Sequence, residues 1–341
     1  MVMMGPWPDR KKPIRPSMDQ WKTVMQGAPG LDPVKHQHVV SRALIRFFNT
    51  PPGSNQMGVG TVNLKYCKFR PRAPKGCGAM EFWTTRFTGE AEDLWGRTEN
   101  NLPATINAVA ARSIFQSATS VAALKAIVAL HHARSFNTRR LAQKVSDLAV
   151  QEGFESCIQT PAKRQYLVDH ATRQLGPGAQ TDSDIKAAFI DMTKKSNKFD
   201  PADSFRKNAA EFFVELTDYL DRCQVQILVA PKDRYFVLGD TPVVAEGDPP
   251  VGASKVHYIP PIQDAEVVHF PVHPKFCVRF PAAYPGYVEL GRSAVDRINR
   301  RQVEQAYREV YFFTDPRTRQ FVMNEARGHR AWPNIGDLTI R

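Results

Sequence analysis

Residues 203–223, DSFRKNAAEFFVELTDYLDRC, run directly into residues 224–244, QVQILVAPKDRYFVLGDTPVV. In the first stretch Phe205, Ala209, Phe212, Leu216 and Tyr219 recur at three- and four-residue steps, the spacing of one helix face, with Asp203 placed to cap it. The second stretch drops that period. Short β-prone runs, QILVA and YFVLG, flank a turn at residues 231–233, so the segment reads as two joined strands. The change of period at Cys223 therefore sets the fold class.

Working outward, the pattern upstream stays helical from Glu90 to Cys223. In NNLPATINAVAARSIF, Pro103 suits a first turn. In SVAALKAIVALHHARSF, Leu124, Ile127, Val128 and His131 share a face, with Arg134 seven residues past Ile127. Further upstream, KHQHVVSRALIRFF (35–48) suits a short helix with Val40, Leu44 and Phe47 or Phe48 on one stripe. MGVGTVNLKYCKF is β-prone, and RPRAPKGCGA reads as a loop. Downstream, AEVVHFPVHPKFCVRF reads as a strand pair broken near Pro274, and residues 293–310 as a helix with a strand-like end. A largely helical N-terminal two-thirds on an antiparallel β-containing C-terminal third is an α+β pattern, not an alternating βαβ one. Residues 1–30 read as a mobile, Pro-rich basic arm. Residues 31–341 read as a single domain: helical over 90–223, β-rich over 224–290, with the C-terminal helix at 293–310.

Of the 341 residues, 42% are hydrophobic and 23% charged, which are globular values. The apolar runs are too short to span a bilayer, and the N-terminus has no secretory h-region. The five cysteines are scattered and never form CxxC, which argues against a disulfide framework or a cysteine zinc site and fits a reducing cytoplasm. GxGxxG, GxxxxGK[ST], GxSxG and HExxH are all absent, which sets aside the activities those motifs carry. The formal charge of +12 is spread over DRKKPIR, KFRPRAPK, ARSFNTRR and DRINRR, and suits nucleic acid or another polyanion as partner.

A few polar residues stand in apolar surroundings. On a strand, His36 and His38 would share a face about 7 Å apart and could share a divalent metal ion. On a helix they would diverge by about 200°. In the metal-free alternative, His38 caps or orients the helix that follows. Arg134 ends an apolar helix stripe, where a guanidinium that cannot neutralise itself needs an acceptor. That acceptor is either a bound phosphate or carboxylate, or a structural partner such as Asp240. Asp240 follows the strand RYFVLG, a place for a catalytic carboxylate or an Asx-type turn. His269 and His273 would lie about 13 Å apart along a strand, too far for one metal unless Pro271 or Pro274 bends the chain. Asn299 either hydrogen-bonds a ligand or caps its helix.

Taken in order, KHQHVVSRALIRFF, IVALHHARSF, YFVLGDTPVV, HFPVHPKF and INRRQVEQAY resemble the domain of unknown function 4238 family over residues 35–314. The resemblance assigns His38 to that family's histidine, with Leu44 and Phe47 following. Arg134 takes the helix-end arginine, Asp240 and Pro242 flank Thr241, and Asn299 opens the late helix. Two departures stand out: Ser41 occupies the place of a proline, and Asn107 stands near an expected helical glutamate. The family brings no activity with it. Two functions remain. One is a hydrolase or nuclease-like enzyme for a phosphate-bearing substrate, with His38 and Asp240 catalytic and Arg134 and Asn299 holding the substrate. The other is a non-catalytic nucleic-acid- or protein-binding component of a mobile-element or defence assembly. The enzyme requires His38, Arg134 and Asp240 to converge within about 8 Å at a concave opening.

Overall fold

The computed structural model of the protein describes residues 36–49, 58–81, 89–195, 201–248 and 259–329. The arm expected over residues 1–30 lies outside them. The chain enters through β1 (His36–His38), α1 (Arg42–Phe47), β2 (Val59–Asn63), β3 (Lys68–Arg72) and β4 (Ala79–Glu81). Strand β3 runs through Arg72, into the stretch read as loop. Six helices follow: α2 (Gly89–Ala110), α3 (Ala118–Ala133), α4 (Phe136–Ile158), α5 (Pro161–Leu175), α6 (Asp182–Lys195) and α7 (Pro201–Arg222). Then come β5 (Gln226–Val229), β6 (Val237–Gly239), β7 (Val244–Glu246), β8 (Val267–His273), β9 (Phe276–Phe280) and β10 (Gly286–Glu289). The described chain closes with α8 (Arg292–Gln305), β11 (Glu309–Phe312) and α9 (Pro316–Gly328). The fold is α+β, and the period switch at Cys223 is its boundary.

Helix α3 is the centre of the helical part, packed between α2 and α7. Ser117 starts it by accepting the Ser120 N–H, and Leu124, Ile127, Val128 and His131 are all buried as their spacing predicts. Helix α7 begins at Pro201, so Asp203 lies in the first turn rather than at the cap. Its buried face is Ala209, Phe213, Leu216 and Leu220, while Phe212 and Tyr219 are half-buried. The stripe is rotated because α7 packs on both α3 and α4. Pro103 sits inside α2 and not in its first turn.

Two larger sheets complete the fold. One has the order β10-β5-β9-β8-β7 and is antiparallel except for the parallel β10–β5 pair; the other, β3-β2-β11-β6, is antiparallel throughout. The β8–β9 pair turns near Pro274 as the sequence suggests. Strands β5 and β6, expected to form a hairpin, belong to different sheets. The reason is local: Lys275 donates to the carbonyls of Pro231, Lys232 and Arg234 at 2.8, 2.8 and 2.6 Å. The Phe236 N–H is taken by the Pro274 carbonyl. These bonds pin the turn to the β8–β9 connection, and β9 and β10 already fill both edges of β5. The late helix ends at Gln305 rather than 310, because β11 begins at Glu309.

Candidate functional site

The first candidate cluster is built where β1, α1, α2 and α3 meet. Strand β1 pairs with β4, so His36 and His38 occupy alternate strand positions and neither caps α1, whose first-turn neighbour is Ser41. The side chain of His36 lies outside the described residues. Arg134 closes α3 and is almost fully buried. Its acceptor is not Asp240 but Glu99 of α2, with Nη2 to Oε1 at 2.5 Å, and the guanidinium lies 5.3 Å from the Trp95 ring. Ser41 Oγ donates to the same Glu99 oxygen at 2.5 Å and accepts from Arg134 at 3.1 Å. The Ser41 N–H donates to His131 Nε2 at 3.3 Å, and His131 Nδ1 donates to the Ile127 carbonyl at 2.8 Å. That pair of bonds fixes a neutral tautomer. Burial first, and Arg134 second, bring the His131 pKa down to about 4.

His38 belongs to this neighbourhood. Burial holds its pKa below the usual imidazole range; Glu99 opposes the shift, while Arg134 and Arg42 add to it. Its Nδ1 is buried without a hydrogen-bond partner. For Glu99, burial acts upward, but Arg134 and Ser41 outweigh it and hold the carboxyl below its ordinary value. The structure thus brings His38 and Arg134 together around a carboxylate that the sequence reading missed. The signal was present: Trp95, Glu99, Leu102 and Ile106 follow four-, three- and four-residue steps, which places a charge on an apolar stripe. Asn107, near which a glutamate was expected, lies two turns further along the same helix.

Asp240 and Asn299 are used elsewhere. Asp240 accepts main-chain N–H groups from Tyr307 at 2.6 Å, Arg308 at 2.8 Å and Glu309 at 3.1 Å. Complete burial pushes its carboxyl up to about 7 against the pull of those three donors. Asn299 accepts from the Val237 N–H and donates to the Tyr235 carbonyl, so it neither caps α8 nor reaches the first cluster. Gln302 likewise clamps Gly239 N–H and the Pro242 carbonyl, and Gln305 donates to the Ala245 carbonyl. Close approach of α8 makes this possible, since a Cβ on Gly239 would meet the Gln302 carbonyl at 2.9 Å. His269 pairs with Glu246 at 3.0 Å, and His273 accepts the Lys275 N–H at 3.1 Å, so the two do not share a ligand. Among the described residues no group of three or more His, Cys, Asp or Glu is arranged to hold a metal ion.

A second candidate surface lies on β3. Lys68, Arg70 and Arg72 alternate along the strand and therefore share a face. Strand register sets them opposite Asn63, Thr61 and Val59 of β2. With Thr61, Asn63, Tyr66 and Glu309 they line an open groove of about 510 Å³. Arg72 is paired with Glu309 at 2.8 Å. Among the described residues Lys68 and Arg70 have no acidic partner, so the groove is net positive. The opposite face carries Phe69, Val62, Val310 and Phe312 into the apolar layer beneath α9. The period-two run of cations in KFRPR was legible in the sequence, but the loop reading hid its single-faced display.

Among the described residues no helix is long and apolar enough to cross a membrane. No curated protein and no solved structure matches the chain. A family model, Protein of unknown function (DUF4238), matches residues 36–316, most of the length, and the chain belongs to that family.

Proposed function

We propose that the protein binds nucleic acid through the β3 face without transforming it. The observation that carries this reading is the row of Lys68, Arg70 and Arg72 on one side of an edge strand, lining a groove with polar side chains and an exposed tyrosine. Cations and proline on an edge strand also block sheet-to-sheet pairing. That task is served by charge on either face and by either sign, whereas here all three cations are on one face beside Asn63 and Tyr66. The overall charge of +12 would add long-range attraction. The hydrolytic reading is less favoured, because two of its four residues have structural tasks: Asp240 accepts three main-chain donors and Asn299 is bonded to the segment entering β6.

The test is binding of a fluorescent oligonucleotide by anisotropy across a salt series. Two or three phosphate contacts give a slope of about −1.5 to −3 in log K against log salt. Lys68→Glu with Arg70→Glu should remove most of the affinity and flatten the slope. Unchanged binding in that variant refutes the reading. Cleavage of the probe that disappears in Glu99→Gln would restore the enzyme.

A further inference from the structure

We propose that the β3 groove selects single-stranded nucleic acid, with Tyr66 as the platform on which one unpaired base stacks. This inference rests on the binding reading above and names its ligand. Tyr66 is 62% exposed, a large aromatic left in water at the mouth of a cationic groove. The turn that carries it is well fixed. Asn63 Oδ1 accepts the Tyr66 N–H at 3.1 Å, Cys67 takes a left-handed conformation (φ 48°), and the Cys67 thiol reaches the Met323 carbonyl at 3.8 Å. The turn fixes the main chain that carries the ring, so binding has only the side chain's own rotation left to order. Lys65 lies 5.4 Å from the ring and adds a cation beside it.

Along β3 the cations step by about 7 Å, and the row covers about 14 Å, room for roughly three nucleotides of an extended chain. That spacing alone would serve a duplex strand as well. Tyr66 separates the two cases. Bases in a duplex are stacked on one another and present only their edges, so an exposed ring gains a partner only from a splayed, unpaired base. Asn63 fits the same ligand: its oxygen is taken by the turn, and its NH2 remains as a donor in the groove wall. Glu309, tied to Arg72 and to the Tyr311 hydroxyl, orients Arg72.

The experiment compares labelled twelve-nucleotide single strands of RNA and of DNA with a blunt duplex of the same sequence, using the full chain. The variants are Tyr66→Ala, Tyr66→Phe and Arg70→Glu. Tyr66 touches the fold mainly through its main chain, so Tyr66→Ala should fold as wild type, checked by its melting curve. Single strands should bind more tightly than duplex. Tyr66→Ala should weaken single-strand binding about tenfold and leave duplex binding unchanged, while Tyr66→Phe keeps the wild-type affinity. Equal affinity for duplex, or no effect of Tyr66→Ala while Arg70→Glu still abolishes binding, overturns the single-strand inference and leaves the binding reading standing. No effect of Arg70→Glu on any probe overturns both. The RNA and DNA arms decide which strand is preferred.

Discussion

Removing the carboxylate at Glu99 should unbalance the cluster more than any change at Asp240 would unbalance Arg134. The Arg134 side chain is 8% exposed and Glu99 32% exposed, and a single oxygen of Glu99 receives both Arg134 and Ser41. An arginine cannot discharge itself, so Glu99→Ala strands a buried cation and a serine hydroxyl. Breaking a buried pair costs about 3–5 kcal/mol, and the water still reaching Glu99 brings the expectation to about 2–3 kcal/mol. Glu99→Gln keeps an acceptor in place and should cost only about 1 kcal/mol. Arg134→Met removes the charge that needs Glu99, so the double variant Glu99→Ala/Arg134→Met should be milder than the sum, with a coupling of about 1–2 kcal/mol. Urea unfolding with an unchanged m value gives all four free energies. The pair also predicts a pH effect. Because the folded carboxyl titrates below its ordinary value, its stabilisation is complete above that ordinary value and is lost as pH falls through the folded one. Coupling below about 0.5 kcal/mol would refute the account, since distant, independent sites add to within that margin.

Three further outcomes follow from the same contacts. Ser41→Pro should be destabilising by about 1–3 kcal/mol although its φ of −53° suits proline, because it removes the N–H to His131 and the hydroxyl to Glu99; unchanged urea stability would contradict this. Asp240→Asn should cost about 1–3 kcal/mol, because one amide NH2 must face a main-chain N–H where only acceptors fit; a melting temperature equal to wild type would show that the three bonds are dispensable. His132 is buried against Phe212 with Nδ1 unpartnered, and burial lowers its pKa to about 4. The unfolded ring binds a proton from about pH 6.5 downward and the folded one only near 4, so wild type should lose about 2 kcal/mol from this ring between about pH 7 and 5. His132→Phe should lose less over that interval, measured by urea midpoints at each pH. Asp240 acts in the opposite sense in both proteins and cancels in the comparison.

How much was legible divides by range. The helix-to-strand switch at Cys223 and the buried face of α3 are local patterns, and the sequence carries them openly. So does α9, which the reading passed over: Asp315 caps it by accepting the Thr318 N–H, Pro316 opens it, and Thr318, Val322 and Ala326 are its buried face. The separation of β5 from β6 is different in kind. Two β-prone runs with a turn between them ask for a hairpin, and Lys275, more than forty positions away, holds that turn in another place together with the Pro274 carbonyl. Glu99 lies between these cases. Its place on an apolar stripe was visible, but the partner that explains it sits on another helix.

The polarity of the main chain then explains which polar residues are structural. Strand β6 is an edge strand paired on one side with β11, and segment 235–245 passes from one sheet to the other, so its remaining N–H and C=O groups need partners that no strand supplies. Where this segment shows both donors and acceptors, α8 presents amides, which both give and take: Asn299 and Gln302 each make one bond of each kind, three residues apart. Where the chain at 307–309 shows three donors together, the facing residue is Asp240, which only accepts when ionised. Residue type at these positions follows from the backbone opposite. No such rule accounts for His38, whose buried Nδ1 faces no partner, or for Tyr66, which is held out in water. Side-chain surfaces and atoms that the fold positions but leaves without a partner are where a ligand has something to gain. Of these two, only Tyr66 stands in a groove whose charge says what that ligand should be.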